Sequence, residues 1–185
     1  AGKVRHPDYR EPVPKVRAIS VPKTIDEGLI EQYLSGRGID FKAVKDYPIV
    51  SGHKFYHGHG ELPSVGFVYG DKEAVKWRSI EGKNFTQDGA SRTLWGIESL
   101  PEGAKTLVIV EGEMDLLACA SAGVDCCVSV PNGAPIKVSS KAIVQADDTK
   151  FNYVWAAKDV IESVDRVILA VDSDDAGTAL AEELA

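Results

Sequence analysis

The sequence predicts an α/β chain in which an open parallel sheet with helices on both faces follows a small α+β N-terminal subdomain. Three observations predict it. TLVIV at 106–110 and RVILAV at 166–171 are continuous apolar, β-branched runs, as expected of strands covered on both faces in a parallel sheet. Helical patterns alternate with such runs from residue 106 onward, giving β-α-β-α-β-α. Before residue 105 the apolar runs are short or alternating and are punctuated by glycine, as in antiparallel strands. The charge divides at the same place: of the net −7, residues 1–105 carry +2 and residues 106–185 carry −9. Three segments follow: a linker at 1–23, a mildly basic subdomain at 24–104, and an acidic α/β domain at 105–185 whose last helix is still running when the chain stops.

Each element has its own warrant. Pro7, Pro12, Pro14 and Pro22 among alternating charges make residues 1–23 an extended linker. Thr24 and Glu27 have capping-box spacing, and Ile25, Leu29, Ile30, Tyr33 and Leu34 share one face. Gly36 sits where a cap belongs, so a helix is predicted over 25–35. YPIV (47–50), SVGFVYG (64–70) and AVKWRSI (74–80) read as strands, with turns at Gly70-Asp71 and Glu81-Gly82. The third run alternates, which projects Lys76 and Arg78 from one face. Past 105, a helix over 113–122 ends at Gly123, CCVSV (126–130) is a strand, and a helix over 151–164 turns Phe151, Val154, Trp155, Ile161 and Val164 inward.

Composition narrows the function classes. With 185 residues, 44% hydrophobic and 26% charged, the chain is long and apolar enough for a packed core. No apolar run reaches the ~18 residues of a membrane span. The polar N-terminus lacks the apolar region of a signal peptide, so the expected location is the cytosol or an organelle matrix, and not the secretory route. Cys119, Cys126 and Cys127 include no C-x-x-C pair and are expected to be reduced core thiols, with no zinc bound by this chain. His53, His57 and His59 lie in a Gly-rich stretch that reads as a surface loop, and Trp77, Trp95 and Trp155 fit apolar core positions. Met114 is the only methionine and the chain starts with Ala1, which suggests a piece of a longer polypeptide.

The chemistry is expected at the carboxyl ends of the parallel strands, where open α/β sheets bind ligands. Glu111-Gly112-Glu113-Met114-Asp115 follows TLVIV, and Asp172-Ser173-Asp174-Asp175 follows RVILAV. Helix N-termini favour Asp and Glu on macrodipole grounds alone, which would account for Asp115 and Asp175. Glu111, Asp172 and Asp174 stand directly after buried strands, where converging oxyanions repel unless a cation sits among them. Magnesium suits such a site, taking carboxylate oxygens and keeping waters and substrate phosphates. On the residues alone, a metal site and a set of helix-start acids are about equally good readings.

VIVEGEMDLL at 108–117, followed by RVILAVDSDDAG at 166–177, resembles the Toprim domain of bacterial-type primases, type IA and II topoisomerases, OLD nucleases and RecR proteins. Its form is most similar to that of phage-type primase-helicases and their Twinkle-like relatives. VKWRSIEGKNFTQDGASRTLWGIESLPEG at 75–103 resembles the stretch that precedes Toprim in those proteins, and the loop VPNGAP at 130–135 matches in position. The resemblance implies a DNA primase core that makes short RNA primers on single-stranded DNA from ribonucleoside triphosphates, with a replicative helicase domain in the same polypeptide. It implies Glu111, Asp172 and Asp174 as catalytic residues and Glu111, Asp115, Asp172 and Asp174 as ligands of Mg²⁺ or Mn²⁺. Lys76, Arg78, Lys83 and Arg92 would hold nucleotide or template phosphates. No P-loop and no Cys-rich ribbon is present in the sequence, and the chain stops before one further parallel strand that Toprim domains carry. A Toprim nuclease, using the same carboxylates to activate water, is the alternative enzyme; a catalytically inactive module that docks DNA or a helicase is the alternative from another class.

Overall fold

Asp26 starts the first helix, where the sequence pointed to Thr24. Its side chain accepts from the Leu29 amide at 3.0 Å, satisfying one of the donors a helix start leaves open. The helix α1 therefore runs Glu27–Ser35, with Ile30 and Leu34 buried. Gly36 caps it in a right-handed conformation, and the left-handed turn falls at Gly38 (φ 77°). The computed structural model describes residues 19–133, 138 and 150–185. Most of the predicted linker and the end of VPNGAP lie outside the described residues. A short helix, α2 (Phe41–Val44), follows, capped by Asp40.

Four antiparallel strands come next: β1 (Ile49–Tyr56), β2 (Gly60–Tyr69), β3 (Ala74–Ser79) and β4 (Phe85–Gly89), in spatial order β1-β2-β3-β4. Two parts of this sheet differ from expectation. β1 continues through SGHKFY, so His53 is an exposed strand residue while His57 and His59 occupy the exposed turn to β2. β4, FTQDG, carries no apolar stripe because it is the sheet edge, and its residues are alternately exposed and half-buried. A strand without a buried face leaves no period-2 signal in its composition.

The second sheet is parallel, in order β6-β5-β7, from β5 (Thr106–Val110), β6 (Cys127–Ser129) and β7 (Arg166–Ala170). The helices are α3 (Glu113–Ser121), α4 (Asn152–Ala156), α5 (Lys158–Ser163) and α6 (Asp175–Leu184). The helix predicted over 151–164 is thus two helices with a break at Ala157 (φ −93°, ψ 5°). Helices do cover both faces. On β5, Val108 and Val110 pack with Met114, Leu116 and Leu117 of α3, while Leu107 and Ile109 pack with Phe151, Tyr153, Ala157 and Leu180. β7 departs from its expected burial: Val167 and Ile168 are 39% and 40% exposed. The order of the sheet explains this, because β5 has a neighbour on each side whereas β7 pairs only with β5 among the described residues.

The two sheets share one core. Val65, Phe67 and Tyr69 of β2 join Val108, Val110 and the α3 residues in a single buried cluster. Trp95 fastens them together. Its backbone exchanges hydrogen bonds with Ser129 at 2.9 Å in both directions, its indole N–H donates to the Val68 carbonyl at 3.0 Å, and its ring meets Phe67 edge-on at 5.3 Å. Trp77 is also buried, as expected, whereas Trp155 is half-buried.

Candidate functional site

β5 and β7 are parallel neighbours with Val110 opposite Ala170, so both strands deliver the chain to the same edge of the sheet. Glu111 follows β5 directly, and its Oε1 accepts from the Asp172 amide beyond β7 at 2.7 Å. This bond ties the two strand ends together through the Glu111 carboxylate. It also requires Gly177 in the first turn of α6. A Cβ there would overlap the Asp172 carbonyl oxygen and stand 2.5 Å from Glu111 Oε1. The glycine of DSDDAG therefore permits a close approach rather than a turn.

A cleft of about 520 Å³ opens at this edge, and its lining brings Lys76, Arg78 and Lys83 together with Glu111, Asp115 and Asp172. Arg37, from the segment after α1, lines it too, as do Glu113 and Phe85. Two of the expected residues are placed elsewhere. Arg92 is exposed and outside the lining. Asp174 is also outside it, its Oδ1 capping α6 by accepting from the Gly177 amide at 2.8 Å.

Burial and neighbouring carboxylates act together on Glu111 and Asp115. Burial raises the Glu111 carboxyl above its usual range; the Asp172 amide opposes this, and the charges of Asp172, Asp174 and Asp115 add to the rise. Burial likewise raises Asp115, and the charge of Asp172 reinforces it against the Gly112 amide and Arg37. Both shifts report negative charge packed near negative charge in a partly dry site. Among the described residues no three His, Cys, Asp or Glu side chains are gathered closely enough to enclose a metal ion.

Glu113 behaves differently from Glu111 although only Gly112 separates them. It is buried, 4% exposed, and accepts from the Tyr69 hydroxyl. Lys76 Nζ lies 2.9 Å from its Oε1 and donates also to the Pro131 carbonyl at 3.1 Å. Lys76 thus enters the cleft with its charge already matched. It spans from the antiparallel sheet to the loop after β6, and removing either partner would strand a buried charge. The Tyr69 hydroxyl is pushed well above its ordinary value, first by burial and then by the Glu113 charge.

Arg37, Phe85, Glu113 and Gly177 were not singled out in the sequence. Only Glu113 and Gly177 had a usable signal, an extra acid and a glycine at the starts of the helices that carry the carboxylates. Arg37 comes near enough to Asp115 for its charge to oppose the rise of that carboxyl, a proximity set by tertiary packing that no local spacing encodes.

Comparison with known proteins bears on the fold that carries this cleft. Residues 105–185 match the family model described as the Toprim domain. The chain is 35% identical over 174 residues to "Twinkle homolog protein, chloroplastic/mitochondrial" of Arabidopsis thaliana, covering 92% of this chain and 23% of the relative. It is 41% identical over 125 residues to the Arabidopsis thaliana "Primase homolog protein", covering 65% of this chain and 37% of that one. The chain therefore spans well under half the length of either relative. Among solved structures, the primase fragment of the bacteriophage T7 primase-helicase protein superposes with a TM-score of 0.58 at 26% identity, covering 80% of this chain and 57% of the other. The Aquifex aeolicus primase, with its zinc-binding and RNA polymerase domains, gives 0.57 at 17% identity, over 82% and 44% of the two chains, a likeness of fold. Residues 105–185 thus match the Toprim domain, and the chain as a whole is similar to primase and primase-helicase proteins.

Proposed function

We propose that the cleft joins ribonucleotides on a single-stranded DNA template, making this chain the RNA-polymerising core of a DNA primase carried in a primase-helicase. The observation that supports this best is the composition of one cleft: Lys76, Arg78, Lys83 and Arg37 beside Glu111, Asp115 and Asp172. A cleft with carboxylates alone would repel a polyanion, and one with cations alone would bind it without chemistry. Both together suit phosphoryl transfer.

The donor set fits Mg²⁺ or Mn²⁺. It offers carboxylate oxygens whose pKa values are raised first by burial and then by neighbouring carboxylates; no three of them are gathered closely enough to enclose an ion among the described residues, so a cation here would rely on waters and substrate phosphates for its other ligands. Glu111, Asp115 and Asp172 would hold it, with Asp174 behind them. When bound, such a cation lowers the pKa of the attacking hydroxyl and neutralises charge on the phosphates. The protein's own groups do the rest. Arg78, Lys83 and Arg37 hold phosphates, and Lys76 keeps the basic strand against the loop after β6. Glu111, with Oε1 held by the Asp172 amide, would be the group that accepts the 3'-hydroxyl proton. The bond formed runs from that oxygen to the α-phosphorus of the next nucleotide, and pyrophosphate leaves. The same reading places a helicase domain in the full polypeptide and the protein in an organelle matrix or a bacterial or phage-infected cytosol.

The test is extension of a labelled diribonucleotide on single-stranded DNA with ribonucleotides and Mg²⁺ or Mn²⁺, for the chain and for Asp172→Asn. Metal-dependent extension that the substitution lowers at least a hundredfold is the expected result. A shortened template without extension would replace this reading with a nuclease, and an intact template without product would replace it with a binding module.

A further inference from the structure

Phe85 is the first residue of β4, opposite Arg78 in the pairing with β3. Alternation along β4 turns Asp88 inward, where its Oδ2 accepts from the Trp77 indole at 2.9 Å and pairs with Lys54. It turns Phe85 outward, 46% exposed. A single exposed phenylalanine needs no explanation on a surface. This one lines the cleft that holds the carboxylates, and the Arg78 guanidinium lies over its ring, 5.2 Å from the centroid. Arg78 adds a second, independent observation. Its Nε is buried and has no hydrogen-bond partner among the described residues, and a buried donor without an acceptor is costly. Arg78 as a whole is half-buried and lines the cleft, which leaves its guanidinium within reach of a ligand phosphate. Lys83, two residues before Phe85, lines the same cleft.

An exposed ring, an arginine stacked on it and a neighbouring lysine are the parts with which proteins hold single-stranded nucleic acid, the base on the aromatic face and the phosphate on the cations. We propose that Phe85 is a nucleobase-stacking platform at the mouth of the cleft, with the Arg78 guanidinium and Lys83 taking the phosphate attached to that base. The inference rests on the reading of the cleft as a nucleotide-handling site and deepens it, because it assigns base contact to a residue outside the acidic and basic sets. The shared ligand chemistry is a nucleobase bearing a phosphate, and it can come from the template or from an incoming ribonucleotide.

The test compares wild type, Phe85→Leu, Phe85→Trp and Lys83→Ala for binding of oligothymidylate, of an abasic oligonucleotide of equal length, and of ATP alone. Melting temperatures confirm that each variant is folded. Phe85→Leu is expected to bind at least one base-containing ligand roughly tenfold more weakly, the scale of one lost stacking contact. Phe85→Trp should restore binding and add indole emission quenched by the ligand, and the abasic strand should not distinguish Leu from Phe. A loss confined to oligothymidylate assigns the platform to the template, one confined to ATP assigns it to the incoming nucleotide, and either supports the proposal. If Phe85→Leu binds like wild type while Lys83→Ala is weakened, the stacking platform is refuted and the cleft reading survives. Wild type that binds none of the ligands overturns both.

Discussion

Glu111 and Glu113 are separated by one glycine, and their environments give them opposite signs in the stability of the protein. Glu113 is matched by Lys76 and Tyr69 in a buried site, so Glu113→Ala should destabilise by about 3–5 kcal/mol, the usual result of stranding one partner of a buried pair. Glu111 meets other carboxylates, and its pKa is raised by burial and by Asp172, Asp174 and Asp115. A carboxyl raised above its unfolded value contributes stability in full below that unfolded value, and the contribution is lost as pH rises through the folded one. Above that folded value the loss is complete. Glu111→Gln keeps a carbonyl oxygen for the Asp172 amide and removes the charge, so in chelator it should melt higher than wild type near neutral pH. The gap should close as the pH falls through the raised range of Glu111 toward the ordinary carboxylate value. Melting curves across that range check it; a Gln variant that melts lower at neutral pH would sink the electrostatic account. A residue that costs stability where it stands is what a metal-binding or catalytic role leads one to expect.

At the scale of the element, the start of α6 decides the geometry of the strand ends. Glycine to alanine inside a helix normally stabilises by about 1 kcal/mol through propensity. At Gly177 the added carbon would overlap the Asp172 carbonyl and crowd Glu111, and forced overlap in packed surroundings costs about 1–3 kcal/mol. Overlap with backbone outweighs propensity, because Asp172 is fixed by its own bond to Glu111. Gly177→Ala should therefore lower the denaturant midpoint and lower primer extension, whereas an alanine accommodated at wild-type stability would show that the contact is loose. The elements also show how far the sequence carried. β5, α3, β6 and α6 were legible because buried strands and the helices between them write their burial into composition, and β7 was legible from its apolar β-branched run although that run is largely exposed. β4 was not, since an edge strand of polar residues has no face to bury, and half of β1 was hidden for the same reason. The strand-end rule brought Glu111 and Asp172 together correctly in space. It could not foresee that Asp174 spends an oxygen on the helix cap, or that Arg37 and Phe85 reach the cleft from distant segments.

At the scale of the whole molecule, the charge boundary near residue 105 is not a boundary in the core. Val108, Val110, Leu116 and Leu117 of the acidic half are buried against Phe67, Tyr69 and Trp95 of the basic half. Lys76 reaches across to Pro131 and Glu113. Each large apolar side chain returned to water forfeits about 1.5–3 kcal/mol, and a domain of this size has only about 5–15 kcal/mol in total. Uncovering four or more of them would consume most of that margin. Residues 19–185 should therefore unfold in one cooperative transition that is the same by circular dichroism and by tryptophan emission. Residues 105–185 alone should show no cooperative melt and should bind a hydrophobic dye. Trp95→Ala, which removes the ring packed on Phe67 and the indole bond to Val68, should lower the single transition by about 3–5 kcal/mol without splitting it. Two separable transitions in the intact chain, or a sharp melt from 105–185 alone, would mean that the cleft is assembled from two independently stable parts. Its basic and acidic residues could then be moved apart by domain motion, whereas one shared core keeps Lys76, Arg78 and Lys83 in register with Glu111 and Asp172 before any substrate arrives.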